Sequence, residues 1–177
     1  MSNHDLLLVI DLQNVYTEGQ PWACCHIRQA ARNIRRLLDA GVCGEVLFTR
    51  FVPPAQPEGM WRVNADAFAN AMLPEMAPYL ERYPLLDKSV YSSFSIPKVR
   101  EAAARADRVV VTGVVAECCV LSTVLAGIDL GHRMVYLTDA VAGVTPESEA
   151  QAEAIVSYLT VPHTEVLTTG AYLEQSR

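Results

Sequence analysis

The sequence predicts an α/β fold with three layers, α/β/α, in which a doubly wound and mainly parallel sheet has six strands in the order 3-2-1-4-5-6. Short apolar runs alternate with segments of helical periodicity, and the chain divides into two similar halves. The apolar runs have the continuous character of parallel strands that helices cover on both faces. With 177 residues and 51% hydrophobic content, the sequence predicts one domain over residues 1–177.

The first half of the chain predicts two buried strands with a helix between them. Leu6–Ile10 is a short apolar run that an aspartate closes, and Glu45–Val52 is another such run that two prolines close. Apolar residues at helical spacing from Ile27 predict a helix, and Gly41 ends it as a C-terminal cap. A short third strand is predicted near Leu85–Lys88.

The second half repeats this alternation. A helix is predicted over Ile96–Ala106, because Pro97 suits its first turn. The segment Arg108–Thr112 is too β-branched and too short for a helix, so it predicts the fourth strand. The remaining predicted elements are a helix from Val120 to Leu130, a strand at Arg133–Leu137, a helix from Pro146 to about Leu159 and a strand at Thr164–Leu167.

The predicted strand order also indicates where a ligand binds. In a sheet of this order the first and fourth strands are neighbours, and ligands bind in the crevice outside their carboxyl ends. Asp11 ends the first strand, and Gly113–Cys119 follows the fourth. Residues that are far apart in the sequence are therefore expected to meet in one crevice.

Charge and composition exclude several classes of protein. The net charge of −6 and the scattered basic residues disfavour a nucleic-acid partner, because phosphate binding needs clustered cations. Neither end has a signal-like segment, and Leu6–Ile10 is far below membrane-spanning length, so we expect a cytoplasmic protein without a membrane partner.

The five cysteines are expected to be reduced thiols, since an odd number with two adjacent pairs does not form a secreted disulfide framework. No cysteines have the spacing of a structural zinc site and the histidines are scattered, so we predict no metal and no cofactor. A metal site assembled from distant residues stays open as an alternative.

Cys118 and Cys119 are adjacent at the point where the chain leaves the fourth strand and enters a helix. Unpaired N–H groups and the positive end of the helix dipole favour a reactive thiolate there. The alternative is a pair of small buried apolar residues. Adjacent helical residues point about 100° apart, so we expect one thiol to face the crevice and the other to pack away from it.

Three motifs in the chain contain an aspartate, a lysine and a cysteine. They are Val9–Asn14 with Asp11 and Gln13, Asp87–Phe94 with Lys88, and Val111–Thr123 with Gly113, Cys119 and Thr123. In this order and spacing they resemble the isochorismatase-like cysteine hydrolases, a family that includes nicotinamidases and N-carbamoylsarcosine amidohydrolases. The resemblance spans nearly the whole chain and implies the isochorismatase-like hydrolase fold.

The resemblance implies a catalytic triad of Asp11, Lys88 and Cys119. Asp11 would accept the thiol proton of Cys119, and the ammonium of Lys88 would stabilise the thiolate. The oxyanion hole would consist of the backbone N–H groups of Val115 and Cys119, with a cis peptide bond between Val114 and Val115. The triad implies a thioacyl-enzyme intermediate.

The resemblance further implies hydrolysis of the C–N bond of a small amide or carbamoyl substrate. Candidate substrate contacts are Gln13, Phe51, Trp61 and Tyr91, although Trp61 is equally typical of a plug over the sheet edge. Nicotinamidases have an aspartate and histidines after the second strand that bind a metal, and Thr49–Pro54 contains none. We therefore expect a more apolar pocket, with Arg50 either as its one cation or as a structural partner of a carboxylate.

Two other functions stay open. One is an isochorismatase-type vinyl ether hydrolase, which the cysteine disfavours because those enzymes do not rely on a cysteine nucleophile. The other is a non-catalytic binding protein on the same scaffold. Since members of the family commonly assemble, we also expect a homo-oligomer, either a dimer or a tetramer.

Overall fold

The computed structural model describes residues 4–56, 62, 66–160 and 162–176. Six strands form one sheet in the order β3-β2-β1-β4-β5-β6, and every neighbouring pair is parallel. The strands are β1 (Leu6–Ile10), β2 (Glu45–Phe51), β3 (Leu85–Lys88), β4 (Val109–Val114), β5 (Met134–Ala142) and β6 (Thr164–Leu167). The predicted fold class and strand order are confirmed.

Helices cover both faces of the sheet. They are α1 (Ile27–Ala40), α2 (Ala67–Asn70), α3 (Ala77–Leu80), α4 (Pro97–Ala103), α5 (Leu121–Asp129), α6 (Pro146–Tyr158) and α7 (Thr169–Gln175). Helices α1 and α7 pack on one face, and α4, α5 and α6 pack on the other. Within the described parts of the chain, no helix has the length and apolar character that a membrane crossing requires.

Strand β1 lies at the centre of the molecule, and all five of its side chains are fully buried. Successive strand residues point to opposite faces, so the strand contributes to two separate cores. Leu7 and Val9 join the core beneath α1 and α7, while Leu6, Leu8 and Ile10 join the core beneath α4, α5 and α6. This double burial explains why β1 is apolar at every position.

Several predicted boundaries differ from the structure. Strand β5 continues past the predicted end at Leu137 to Ala142, because a register shift lets its second part pair with Gly113 and Val114 of β4. The predicted helix at Val120 begins earlier, with a π-helical turn over Ala116–Val120. The short helices α2, α3 and α7 were not predicted.

Gly113 allows β1 and β4 to approach closely where the two strands end. Its φ of 105° is a conformation that side chains rarely adopt, and a Cβ atom there would overlap the backbone of Ile10. The glycine thus places the residues after β1 next to the residues after β4.

Candidate active site at the carboxyl end of the sheet

Asp11, Lys88 and Cys119 meet in a buried group at the carboxyl ends of three strands. Lys88 Nζ donates to Asp11 Oδ2 at 2.6 Å and contacts Cys119 Sγ at 3.5 Å. The three residues are 0%, 4% and 3% exposed. The structure brings together the residues of the predicted triad, because β1, β2, β3 and β4 are neighbours in the sheet.

Neighbouring groups hold the carboxylate and the ammonium in place. Thr49 in β2 donates its hydroxyl to Asp11 Oδ1 at 2.7 Å, so both carboxylate oxygens accept a hydrogen bond. Lys88 Nζ also donates to the carbonyl of Val90 at 3.2 Å. Asp11 itself has a positive φ of 53°, which ends β1 and turns the chain at this point.

The turn that carries Cys119 is tied to the segment after β3. Thr123 Oγ1 donates to the carbonyl of Cys119 at 2.7 Å and accepts the backbone N–H of Ser93 at 3.0 Å. The threonine of the third motif therefore connects the cysteine turn to the second motif. Its spacing of four positions from Cys119 is that of a side chain bonding back to its own helix turn.

The electrostatics of Cys119 differ from the sequence-based expectation. Burial raises the pKa of the Cys119 thiol and the charge of Asp11 raises it further, while Lys88 opposes both. Burial and the Asp11 carboxylate therefore oppose the thiolate that the helix end was expected to favour, and Lys88 is the neighbour that supports it. Lys88 contacts both the carboxylate of Asp11 and the sulfur of Cys119.

A small cavity of about 70 Å³ opens over Cys119. Its lining is aromatic and apolar, consisting of Tyr16, Trp22, Phe51, Tyr91, Val115, Cys118 and Cys119. Phe51 and Tyr91 were candidate substrate contacts, and the structure places both at the cavity. Trp61 lies outside the described residues.

Gln13 does not line this cavity. Its side-chain Nε2 donates to the carbonyls of Phe51 and Asn70 at 2.9 and 3.0 Å, and its Oε1 accepts the N–H of Phe51 at 2.9 Å. The expectation of a substrate contact is corrected, since these bonds occupy the amide and the residue is fully buried. Gln13 instead fixes the backbone of Phe51, whose ring is part of the cavity wall.

Sequence reasoning missed Tyr16 and Trp22, which lie in the irregular segment between β1 and α1. Trp22 Nε1 is buried and has no hydrogen-bond partner among the described residues. Their sequence signal is weak, because two aromatic residues in a loop are common without any binding role. A long connection after a site-bearing strand was the one available hint.

Both cysteines of the adjacent pair border the cavity. Cys118 is half-buried and also borders a separate hollow beside α5, so the expectation that only one thiol faces the crevice stays a prediction. Only Cys119 has a hydrogen bond to Lys88. Burial and the charge of Glu117 raise the pKa of Cys118, so it gains no activation from its position.

The backbone around Val115 matches the geometry that the family resemblance implied. The peptide bond between Val114 and Val115 is cis, and Val115 and Cys119 both border the cavity. The carbonyl of Val115 accepts the N–H groups of Cys118 and Val120 at 3.0 and 3.1 Å, which fixes the start of the turn.

Arg50 is a structural partner at the sheet edge. Its guanidinium forms two hydrogen bonds with Asp87, each 2.8 Å long, across β2 and β3. Arg50 does not line the cavity, and no charged side chain does so among the described residues. The alternative of Arg50 as a pocket cation is therefore not supported.

The family model of the isochorismatase domain matches residues 5–169 of the chain. Among solved structures, an isochorismatase-like hydrolase from Alkaliphilus metalliredigens is similar with a TM-score of 0.81 and 19% identity, covering 98% of this chain and 99% of that one. A cysteine hydrolase from Pseudomonas syringae has a TM-score of 0.80 and 20% identity, with coverage of 98% and 92%.

A MAR1 ribonuclease from Caenorhabditis elegans is also similar, with a TM-score of 0.78 and 20% identity, covering 97% of this chain and 80% of that one. At such identities the likeness shows a shared fold alone. No protein with a curated description matches the sequence significantly.

Proposed function

The chain belongs to the isochorismatase family of hydrolases, and from this premise we propose that it is a cysteine hydrolase that cleaves the C–N bond of a small amide or carbamoyl compound. The observation that carries the proposal is the buried contact of Asp11, Lys88 and Cys119. A thiol, a carboxylate and an ammonium in mutual contact are a nucleophile, a base and a stabilising cation.

The first half of the reaction forms a thioester. The sulfur of Cys119 attacks the substrate carbonyl while Asp11 takes the thiol proton, which makes a tetrahedral oxyanion. The N–H groups of Val115 and Cys119 are the proposed donors to that oxyanion, and such donors typically supply about a hundredfold in rate or more. The C–N bond then breaks, and Asp11 returns its proton to the leaving amine.

The second half of the reaction releases the acid. Asp11, ionised again, accepts a proton from water as the water attacks the thioester carbonyl. The C–S bond breaks, the acid leaves, and the proton returns to the sulfur of Cys119. Lys88 orients Asp11 between proton transfers, because its ammonium donates to the carboxylate at 2.6 Å.

The cavity wall indicates the acyl group of the substrate. Aromatic side chains dominate the lining and no described lining residue is charged. A substrate carboxylate would be desolvated there without a counter-ion, which is unfavourable. We therefore propose a small uncharged substrate with an apolar or flat acyl group, which Trp22 and the other aromatic residues of the wall would contact.

The experiment is a screen of amides and N-carbamoyl compounds for ammonia release, with each neutral compound paired with a carboxylate-bearing analogue. We expect turnover of neutral members, abolished in Cys119→Ala and retained in Cys118→Ala. The Cys118→Ala variant is a matched control, because it removes a thiol from the same turn and cavity wall.

The alternative functions predict other results. Turnover of a vinyl ether that persists in Cys119→Ala would contradict the cysteine mechanism. Saturable binding of a panel compound without any product would indicate a non-catalytic binding protein. Preference for the charged analogues would contradict the substrate class but leave the mechanism standing.

A further inference from the structure

A second cluster of reactive side chains lies where α1 and α6 begin, and it shares no residue with the candidate active site. Cys25 Sγ is 3.4 Å from His26 Nδ1 and 3.1 Å from Glu149 Oε1. His26 Nδ1 is 2.7 Å from Glu149 Oε2. Cys25 and His26 are exposed and Glu149 is partly buried, so solvent reaches the cluster.

The geometry of this cluster does not fit a second nucleophilic triad. In a cysteine–histidine–carboxylate triad, the imidazole contacts the thiol with one nitrogen and the carboxylate with the other. Here Nδ1 of His26 makes both contacts. The three side chains instead bring one ligand atom each to within 4.8 Å of one another, which is close enough for them to bind one cation.

The backbone holds two of the three side chains in place. Gly143 donates its N–H to Glu149 Oε1 at 2.8 Å, and its carbonyl accepts the N–H of Cys25 at 2.9 Å. A Cβ atom at Gly143 would lie 2.9 Å from Glu149 Cγ, so glycine is needed for this close packing. Gly143, which directly follows β5, thus holds both Cys25 and Glu149 in place. Groups that hydrogen-bond to metal ligands orient those ligands in the same way.

A second carboxylate, that of Glu117, lies close to Gly143 beside the cluster. Glu117 Oε2 is buried and has no hydrogen-bond partner among the described residues, and it would lie 2.5 Å from a Cβ atom at Gly143. A buried carboxylate oxygen without a partner is costly, and a nearby cation would reduce that cost. This observation is independent of the contacts within the cluster.

We propose that Cys25, His26 and Glu149 form a binding site for one divalent cation of the zinc type. Thiolate, imidazole and carboxylate are the ligand types of zinc, and three protein ligands leave a fourth position open to water or another ligand. The donor separations of 2.7–3.4 Å are up to about 0.6 Å below the roughly 3.3–3.6 Å expected for tetrahedral zinc ligands. Binding therefore requires the exposed side chains of Cys25 and His26 to move away from Glu149, and it releases the thiol proton of Cys25 to solvent.

A bound cation would reinforce the contacts that Cys25 and His26 already make with Glu149. Cys25 and His26 end the segment that contributes Tyr16 and Trp22 to the cavity wall, and Glu149 lies in the first turn of α6. The cation would therefore anchor the end of this segment to α6. It takes no part in the proposed hydrolysis, because none of the triad residues is a ligand.

The test is a titration of the chelator-treated protein with Co²⁺ and with Zn²⁺. We expect Co²⁺ to give the near-ultraviolet charge-transfer band of a thiolate ligand, and calorimetry with Zn²⁺ to show one site per chain. Cys25→Ala should remove the band, and Glu149→Gln, which keeps an oxygen for Gly143, should weaken Zn²⁺ binding by about tenfold or more. Zn²⁺ should also raise the melting temperature of the unsubstituted protein, since it binds the folded state.

Cys43→Ala and Cys119→Ala are the matched controls, because each removes a cysteine away from the cluster and should leave the band unchanged. A band that persists in Cys25→Ala, or one that only Cys119→Ala removes, would overturn the proposal. Absence of saturable binding in the unsubstituted protein would do the same. Circular dichroism of each variant ensures that a lost band reflects a lost ligand and not a lost fold.

Discussion

Asp11 acts on two neighbours at once, since it accepts a hydrogen bond from Lys88 and raises the pKa of the Cys119 thiol. Its negative charge and the positive charge of Lys88 have opposite effects on the sulfur. Sequence reasoning predicts that loss of either one slows alkylation of Cys119. The structure changes that expectation for Asp11.

We predict that Asp11→Asn accelerates the reaction of Cys119 with iodoacetamide, whereas Lys88→Met slows it. Removing the carboxylate charge lowers the pKa of Cys119 and leaves the thiolate as the counter-ion of Lys88; removing the ammonium raises that pKa. Both variants should lose hydrolysis. Mass-spectrometric mapping of alkylated peptides over time measures the rates.

The pH dependence of this labelling checks the same argument. Because the pKa of Cys119 is raised, its alkylation rate in the unsubstituted protein should keep increasing through pH values above the ordinary thiol pKa of about 8.5. A plateau near neutral pH, or slower labelling in Asp11→Asn, would contradict the charge assignment.

Trp22 forms part of the aromatic wall of the cavity. We predict that Trp22→Phe raises KM by about three- to tenfold with little change in kcat, because it replaces a large aromatic residue of the wall with a smaller one. Steady-state kinetics on a substrate from the amide screen would measure this. Tyr158→Phe, at an exposed aromatic residue of α6, is the control and should change neither constant.

At the scale of elements, the close approach of β1 and β4 depends on Gly113. We predict that Gly113→Ala lowers the free energy of unfolding by more than about 4 kcal/mol, because its Cβ atom overlaps the backbone of Ile10 at a positive φ. Activity should fall as well, since these strands position Asp11 and Cys119. Urea denaturation followed by circular dichroism measures the loss.

Gly131→Ala is the control variant for Gly113→Ala. It measures the cost of a positive φ at a position where the added Cβ atom meets no other atom. Gly131 also has a positive φ, of 84°, but a Cβ atom there has nothing within 4 Å. Its alanine variant should therefore cost only about 1–2 kcal/mol. Equal losses in the two variants would mean that the backbone contact at Gly113 contributes nothing.

For the whole molecule, we predict a homo-oligomer, either a dimer or a tetramer. Ile155 and Tyr158 are 46% and 88% exposed and lie three positions apart, so they share one face of α6. An apolar face of this kind is unfavourable in water unless another surface covers it. Light scattering over a wide concentration range measures the mass, and a monomer throughout would make the prediction wrong.

We also predict that the protein needs no bound metal for hydrolysis. Of the three triad residues, Asp11 and Cys119 are possible metal ligands, and among the described residues no further histidine, cysteine or carboxylate joins them to form a group of three. Among those residues, the one group that could hold a cation is Cys25, His26 and Glu149. Dialysis against a chelator should leave turnover by Cys25→Ala unchanged, because that variant lacks the proposed distant site. A loss that zinc, iron or manganese restores in this variant would contradict the prediction.

The architecture and the meeting of Asp11 with Cys119 follow from the sequence pattern, whereas Lys88 was identified through the family resemblance. Fully apolar runs such as Leu6–Ile10 require burial on both faces, and right-handed crossovers between parallel strands leave few possible orders. Once the order is known, Asp11 and Cys119 must lie at the same edge. These conclusions depend on local patterns and chain topology, both of which can be recognised from the sequence.

The contacts among these side chains become known only from the folded structure. Gln13 supports the backbone of Phe51 instead of lining the cavity, and Trp22 enters its wall from an irregular segment. The raised pKa of Cys119 depends on burial by the whole molecule and on a balance of two opposing charges. These properties depend on many residues that are close in space but distant in the sequence, so no local sequence pattern predicts them.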